Sequence, residues 1–225
     1  MMKLTDSMKA AITEDWRALF QQFAVYRPMM LARRVGPFVN GICLERDSGN
    51  ASYLPTIFAH CLCRPFPTIS LSMGQSLRSA KTNTAERITA QFHQEKHREA
   101  ASRLAASSLL PLSGDWCMLN FLQAINSYRL LGAADSRYPI LLFEDAVSCF
   151  VWLRMPDAAN MQLASYASEI TEWPSAVTTR IGGVEGWRKK MVEKIGEGEK
   201  LRTTVEDQVK QHGLGSLPVS SLLAS

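Results

Sequence analysis

No Gly-Lys-Ser or Gly-Lys-Thr triplet occurs in the chain, which removes the phosphate-cradling loop of P-loop nucleotide-binding proteins. There is no Gly-x-Ser-x-Gly either: Gly74-Gln-Ser76-Leu-Arg78 lacks the closing glycine that the sharp strand-to-helix turn of a serine hydrolase requires. Gly213-Leu-Gly215 is too short for a dinucleotide turn, and no Asp or Glu stands two residues before any Lys, so a common nuclease half-motif is missing. The adjacent carboxylates Glu144-Asp145 and Glu206-Asp207 diverge on a helix and make poor acid/base partners. These absences weaken an enzymatic reading and leave room only for an unfamiliar site.

Cysteine is sparse and unpatterned. The five (Cys43, Cys61, Cys63, Cys117, Cys149) are an odd number with no Cys-x-x-Cys spacing, which favours reduced thiols and a cytoplasmic setting over a disulfide framework. Long apolar runs are missing as well. The best, 140–153, is too short to span a bilayer and carries Glu144 and Asp145, so no membrane partner is expected. Lys3, Asp6, Lys9, Glu14 and Asp15 interrupt any signal-peptide core. Asn50-Ala51-Ser52, formally a glycosylation sequon, reads as a turn.

What remains is an ordinary folded composition, 46% hydrophobic and 20% charged, with a net charge of +4. The charge is unevenly placed: 14 basic against 8 acidic side chains over 1–112, then 3 against 7 over 115–175. Such separation suits docking of a charged partner or is a chance distribution over a surface of this size.

The pattern predicts an α+β protein, with a small antiparallel sheet near residues 36–72 packed against a predominantly helical remainder. Ile12, Trp16, Leu19, Phe20 and Phe23 make the apolar face of a first helix capped by Thr5 or Asp6 and bounded by Pro28. A short helical piece is expected over 29–34. Strands are expected over 38–46, 53–63 and 68–72, the first two joined by a turn at Asp47-Ser48-Gly49-Asn50, with Pro55 at an edge or strand start. One long helix follows over 79–107. Ser107 to Gly114 then separates a domain of residues 1–112 from one of 113–225 built of helical hairpins, the alternative being one continuous domain. There Asp115 would cap a helix ended by Gly132, 138–155 reads as helix in preference to two strands turning at Glu144-Asp145, and 156–173 is a further helix with Met161, Leu163, Ala164, Ala167 and Ile170 inward. Gly182-Gly183 opens a last helix, broken near Gly196 and Gly198, before a loose apolar arm (Leu214, Leu217, Val219) that a partner would receive.

Three groups of residues carry possible chemistry. His93 and His97 sit one helical turn apart, as a zinc pair would, but Glu95 lies on another face and no third ligand stands nearby unless Glu86 or a distant cysteine supplies it. The alternative for the pair is a solvated helix face. His60-Cys61-Leu-Cys63 would place both thiols on one side of a strand, to bind zinc or simply to fill the core. Arg78, Lys81, Arg87, Arg98 and Arg103 (with Lys96) on the long helix could meet nucleic-acid phosphates, although Glu86, Glu95 and Glu99 intersperse them. No catalytic residue or cofactor is expected, and no metal is assigned.

The expectation is therefore a non-catalytic protein-binding module of a bacterial cytosol working in a hetero-complex, such as a toxin-neutralising inhibitor or an accessory subunit of a defence assembly. The alternatives are a metal-dependent hydrolase using His93 and His97, and a nucleic-acid-binding subunit using the basic helix.

Overall fold

The computed structural model describes residues 3–47, 49–131 and 137–225. The protein is α+β. In chain order the elements are α1 (Asp6–Leu19), β1 (Ala24–Arg27), β2 (Met30–Val35), β3 (Phe38–Arg46), β4 (Ser52–Cys61), β5 (Gln75–Ser76), β6 (Ile88–Thr89) and α2 (His93–Ala106). There follow β7 (Trp116–Cys117), α3 (Met118–Arg129), α4 (Ile140–Trp152), α5 (Pro156–Thr171), α6 (Ser175–Arg180), α7 (Gly183–Gly196), α8 (Gly198–Gln211), β8 (Val219–Ser220) and β9 (Leu222–Leu223). They gather into two compact units. The first holds residues up to 60, 68–115 and 212–221; the second holds 61–67, 116–211 and 222–225.

In the first unit one sheet runs β1-β2-β3-β4-β5, with β6 also against β4 and β8 against β2. Its pairings β1–β2, β2–β3, β4–β5 and β4–β6 are antiparallel, while β8 runs parallel to β2. The sheet starts earlier than expected: the segment expected as helix over 29–34 is instead the turn residue Met29 followed by strand β2. Met29 adopts a φ of 67°, a left-handed conformation costly for a side chain of this size. It is held there because its N–H donates to Thr13 Oγ1 at 2.8 Å and its carbonyl accepts from Leu44 N–H at 2.8 Å. The chain thus reverses after Pro28, and Met30–Val35 pairs residue for residue with β3. Gly36, at a φ of 52°, starts the two-residue turn between them with Pro37.

Residues 68–72 are not a strand. The neighbour position on β4 goes to β5, and Ser72 contributes only a carbonyl to Ala59 N–H. The long helix over 79–107 is also absent; only α2 is helical, after a short 3-10 turn. Asn83, at a φ of 55°, sits in the tight turn that closes the Arg78–Ala85 bridge, and a left-handed residue cannot continue a right-handed helix. Pro55 lies inside β4, at the point where the partner changes from β6 (Ser52, Tyr53) to β5 (Thr56, Ile57), so its missing N–H breaks no ladder.

Thr5 caps α1 by accepting from Met8 N–H. Helix α1 ends at Leu19, short of Pro28, because β1 takes the intervening segment. Ile12, Trp16 and Phe20 meet Leu31, Ile42, Leu44, Tyr53, Ile57 and Ile88 of the sheet and Ala100, Ala101 and Leu104 of α2 in one buried cluster. Each such large side chain contributes about 2 kcal/mol of burial, and this cluster fixes α1 and α2 side by side.

In the second unit α4 is the central helix, packed against α3, α5, α7 and α8. It is buried on nearly every side, including Asp145 and Cys149. Phe143 stacks on Tyr166 of α5 with ring centroids 3.7 Å apart. That contact sets the inward face of α5 as Ala159, Leu163, Tyr166, Ala167 and Ile170, leaving Met161 and Ala164 exposed, contrary to the expected stripe. Helix α3 is capped by Cys117 in a reciprocal box with Asn120, not by Asp115, whose carboxylate accepts from Ser221 N–H at 2.7 Å in the first unit. Gly132, expected to end α3, lies outside the described residues. The expected break between Gly196 and Gly198 separates α7 from α8.

The C-terminal segment is not a loose arm. Leu214 and Leu217 are buried and β8 extends the sheet of the first unit, while β9 pairs with β7 in the second. Among the described residues no helix is long and apolar enough to cross a membrane.

Candidate metal centres

Asp15 on α1 and His93 and His97 on α2 converge in the first unit, one donor atom of each lying within 4.8 Å of the other two. The histidines are not a solvated helix face: they are 4% and 3% exposed, with rings stacked at 4.6 Å. Helix α2 begins at His93, so positions 93, 97, 100, 101 and 104 form its buried stripe, the spacing i, i+4, i+7, i+8, i+11. The third donor comes from Asp15, which sequence spacing could not reveal because it lies on another helix. Glu86, the anticipated candidate, instead accepts from Arg103 Nη2 through both carboxylate oxygens at 2.9 Å.

The hydrogen bonds have one self-consistent direction. The indole N–H of Trp16 can only donate, and it does so to Tyr53 Oη at 3.2 Å. Tyr53 then donates its proton to His93 Nδ1 at 2.6 Å, which leaves the ring proton on Nε2, and that proton goes to Asp15 Oδ2 at 2.9 Å. Gln94 donates to the same oxygen at 2.9 Å. His97 donates from Nδ1 to the His93 carbonyl at 2.9 Å, so its lone pair lies on Nε2. Burial disfavours the imidazolium of His93 more than Asp15 stabilises it, and its pKa falls below 6.5. Burial also opposes the Asp15 carboxylate, but the donors His93 and Gln94 outweigh it and lower its pKa. Burial pushes the Tyr53 hydroxyl up, so it remains a neutral donor.

This donor set suits a divalent transition ion. Two imidazoles and a carboxylate are a recurrent three-ligand face, and a backbone carbonyl on the distal nitrogen, as at His97, is the usual way such a ring is oriented. Occupation would move the His93 proton from Nε2 to Nδ1, reversing the hydrogen bond with Tyr53. The Asp15 side chain is 35% exposed against 5% for His93, so the carboxylate side is open to water.

A second group lies in the second unit. The sulfurs of Cys61, Cys63 and Cys149 are all within 4.8 Å of one another and all three residues are buried. Cys149, on α4, is the partner that local reading of 60–63 missed. Burial opposes a thiolate at Cys63, yet S–H donation from Cys149 and Cys61, with Lys194 nearby, brings it down to about 5. Burial pushes Cys61 and Cys149 up. His60 takes a different role, with Nδ1 2.8 Å from Ser70 Oγ and accepting from Ser70 N–H. Glu144 and Asp145 both face Arg64, at 4.0 and 3.3 Å.

The basic residues proposed for nucleic acid do not share one helix. Arg78 sits in a bridge, Lys81 in the following turn and Arg87 before β6; Lys96, Arg98 and Arg103 are on α2, and Arg103 is held by Glu86, Glu99 and the Arg78 carbonyl. The expected arginine-rich helical face is therefore not formed. Comparison with family models, with curated proteins and with solved structures found no match, so the functional reading rests on these residues.

Proposed function

We propose that the first unit binds one divalent transition ion through Asp15, His93 and His97 and uses it to activate water, as a metal-dependent hydrolase does. The observation that carries this reading is the convergence of one carboxylate and two buried imidazoles, with the His97 lone pair fixed on Nε2 by the His93 carbonyl. Three protein ligands leave a coordination position for water, and such an ion brings the pKa of that water down to about 7. Asp15 is the most exposed of the three, so water would reach an ion held there from the carboxylate side.

The test is titration of untagged protein with Co2+ in a Cys149→Ser background, followed by absorption spectroscopy. One equivalent should bind, with ligand-field bands and no thiolate charge transfer. Asp15→Asn and His97→Gln should each weaken binding by about 100-fold. Absence of binding at micromolar Co2+, or equal affinity in the doubly substituted chain, would reject the site.

The protein-binding reading ranks second. Its apolar arm is folded into the chain itself, and its remaining support is the charge separation together with exposed side chains such as Leu130 and Met161. Repeated native capture with no stable partner would count against it.

A further inference from the structure

The three cysteines of the second unit have no part in the function proposed for the first. Cys61 ends β4, Cys63 follows two residues later, and Cys149 comes from the last turn of α4. Three side chains from two distant segments thus aim their sulfurs at one another, within 4.8 Å. A pair of buried cysteines is common as small apolar filling; three mutually adjacent sulfurs form a soft donor set.

We propose that Cys61, Cys63 and Cys149 form a three-sulfur site for a soft monovalent ion, Cu+. Coordination number selects the ion. Zinc in a closed site takes four protein ligands, whereas among the described residues this group contains three donors. The three residues are at most 3% exposed, which disfavours a water as the fourth. Cuprous ion accepts thiolates readily. On binding, three Cu–S bonds form, the protons carried by the thiols pass to solvent, and no electron is transferred.

The charged neighbours fit an anionic centre. Arg64 stands next to Cys63 in sequence, and Lys194 of α7 acts on Cys63 electrostatically. On the other side Asp145, one turn before Cys149 on α4, is buried and hydrogen-bonded by Arg64 at 3.3 Å, with Glu144 also facing Arg64. Burial and the neighbouring Cys61 push the Asp145 carboxyl well above 3.8. Lys194 and the Arg64-bound Asp145 are thus the charged groups that act on Cys63.

The experiment is anaerobic titration of the reduced, untagged full chain with Cu+ against bicinchoninate, with copper X-ray absorption on the loaded protein. One equivalent should be withdrawn from the chelator, and the absorption spectrum should show cuprous ion with three sulfur neighbours. Cys149→Ser should lower the affinity by about 100-fold. The Cys43→Ser/Cys117→Ser and Asp15→Asn/His97→Gln chains should retain it, separating this site from the one in the first unit. Because Cys149→Ser alters a packed core, the sulfur count on the unsubstituted protein stands as an independent check. Copper left wholly with the chelator, nitrogen or oxygen neighbours in the spectrum, or a thiol count showing a disulfide among the three would overturn the assignment.

Discussion

The hydroxyl of Tyr53 serves two neighbours at once, accepting from Trp16 and donating to His93. Tyr53→Phe keeps the ring and removes both bonds, leaving a buried indole N–H without an acceptor and an imidazole held only by Asp15. The expected cost is about 2 kcal/mol in urea unfolding, with about a tenfold loss of Co2+ affinity. Unchanged stability would mean that the chain of donors is dispensable. Arg33 is the other single residue on which much rests. Though it reads in sequence as part of a basic cluster with Arg27 and Arg34, it is 2% exposed. It donates to Asn40 Oδ1, the Gly114 and Pro111 carbonyls and Ser220 Oγ. Burial pulls its pKa down to about 10 while Asp115 opposes this, so it stays charged at neutral pH. Arg33→Met should destabilise the protein by about 3 kcal/mol, because buried carbonyls lose their donors; a loss below about 1 kcal/mol in equilibrium unfolding would contradict that role.

Strand β3 is dense enough that one position tolerates no side chain. A Cβ on Gly41 would lie 2.5 Å from the Phe58 ring and 2.6 Å from the Leu31 carbonyl oxygen. Backbone on one side and a packed aromatic on the other prevent relief, so Gly41→Ala should cost about 2 kcal/mol. A lowered thermal midpoint with unchanged far-ultraviolet dichroism is the expected result; an unchanged midpoint would show that the sheet yields there. Helix α2 shows the opposite economy at the scale of an element. Its 14 residues put two histidines in the same stripe as Ala100, Ala101 and Leu104, the last three of which pack in the cluster with α1 and the sheet.

For the whole molecule, the residues after 211 supply a strand to each unit and bury Leu214, Leu217 and Leu222. At about 2 kcal/mol for each leucine, their removal withdraws an amount comparable to the stability of an ordinary domain. A chain ending at Gln211 should lose its cooperative thermal transition or melt far lower by circular dichroism. Were the segment a free arm for a partner, the truncated chain would melt as the full one does.

The sequence alone determined the α+β class, the amphipathic α1 with a cap at Thr5 or Asp6 and the break at Gly196 and Gly198, while over 138–155 it favoured a helix over a strand pair and the tertiary structure decided between them. Each follows from local periodicity or from glycine and proline, whose constraints act within a few residues. It also marked His93, His97, Cys61 and Cys63, because their spacing is local. What only the tertiary structure decided is everything set by distant pairing. Met30–Val35 becomes a strand because β3 offers it partners. The tail is ordered because β2 and β7 have open edges. Asp15 and Cys149 complete their groups because burying the apolar faces of α1, α2 and α4 brings those helices to positions that no spacing in the chain encodes.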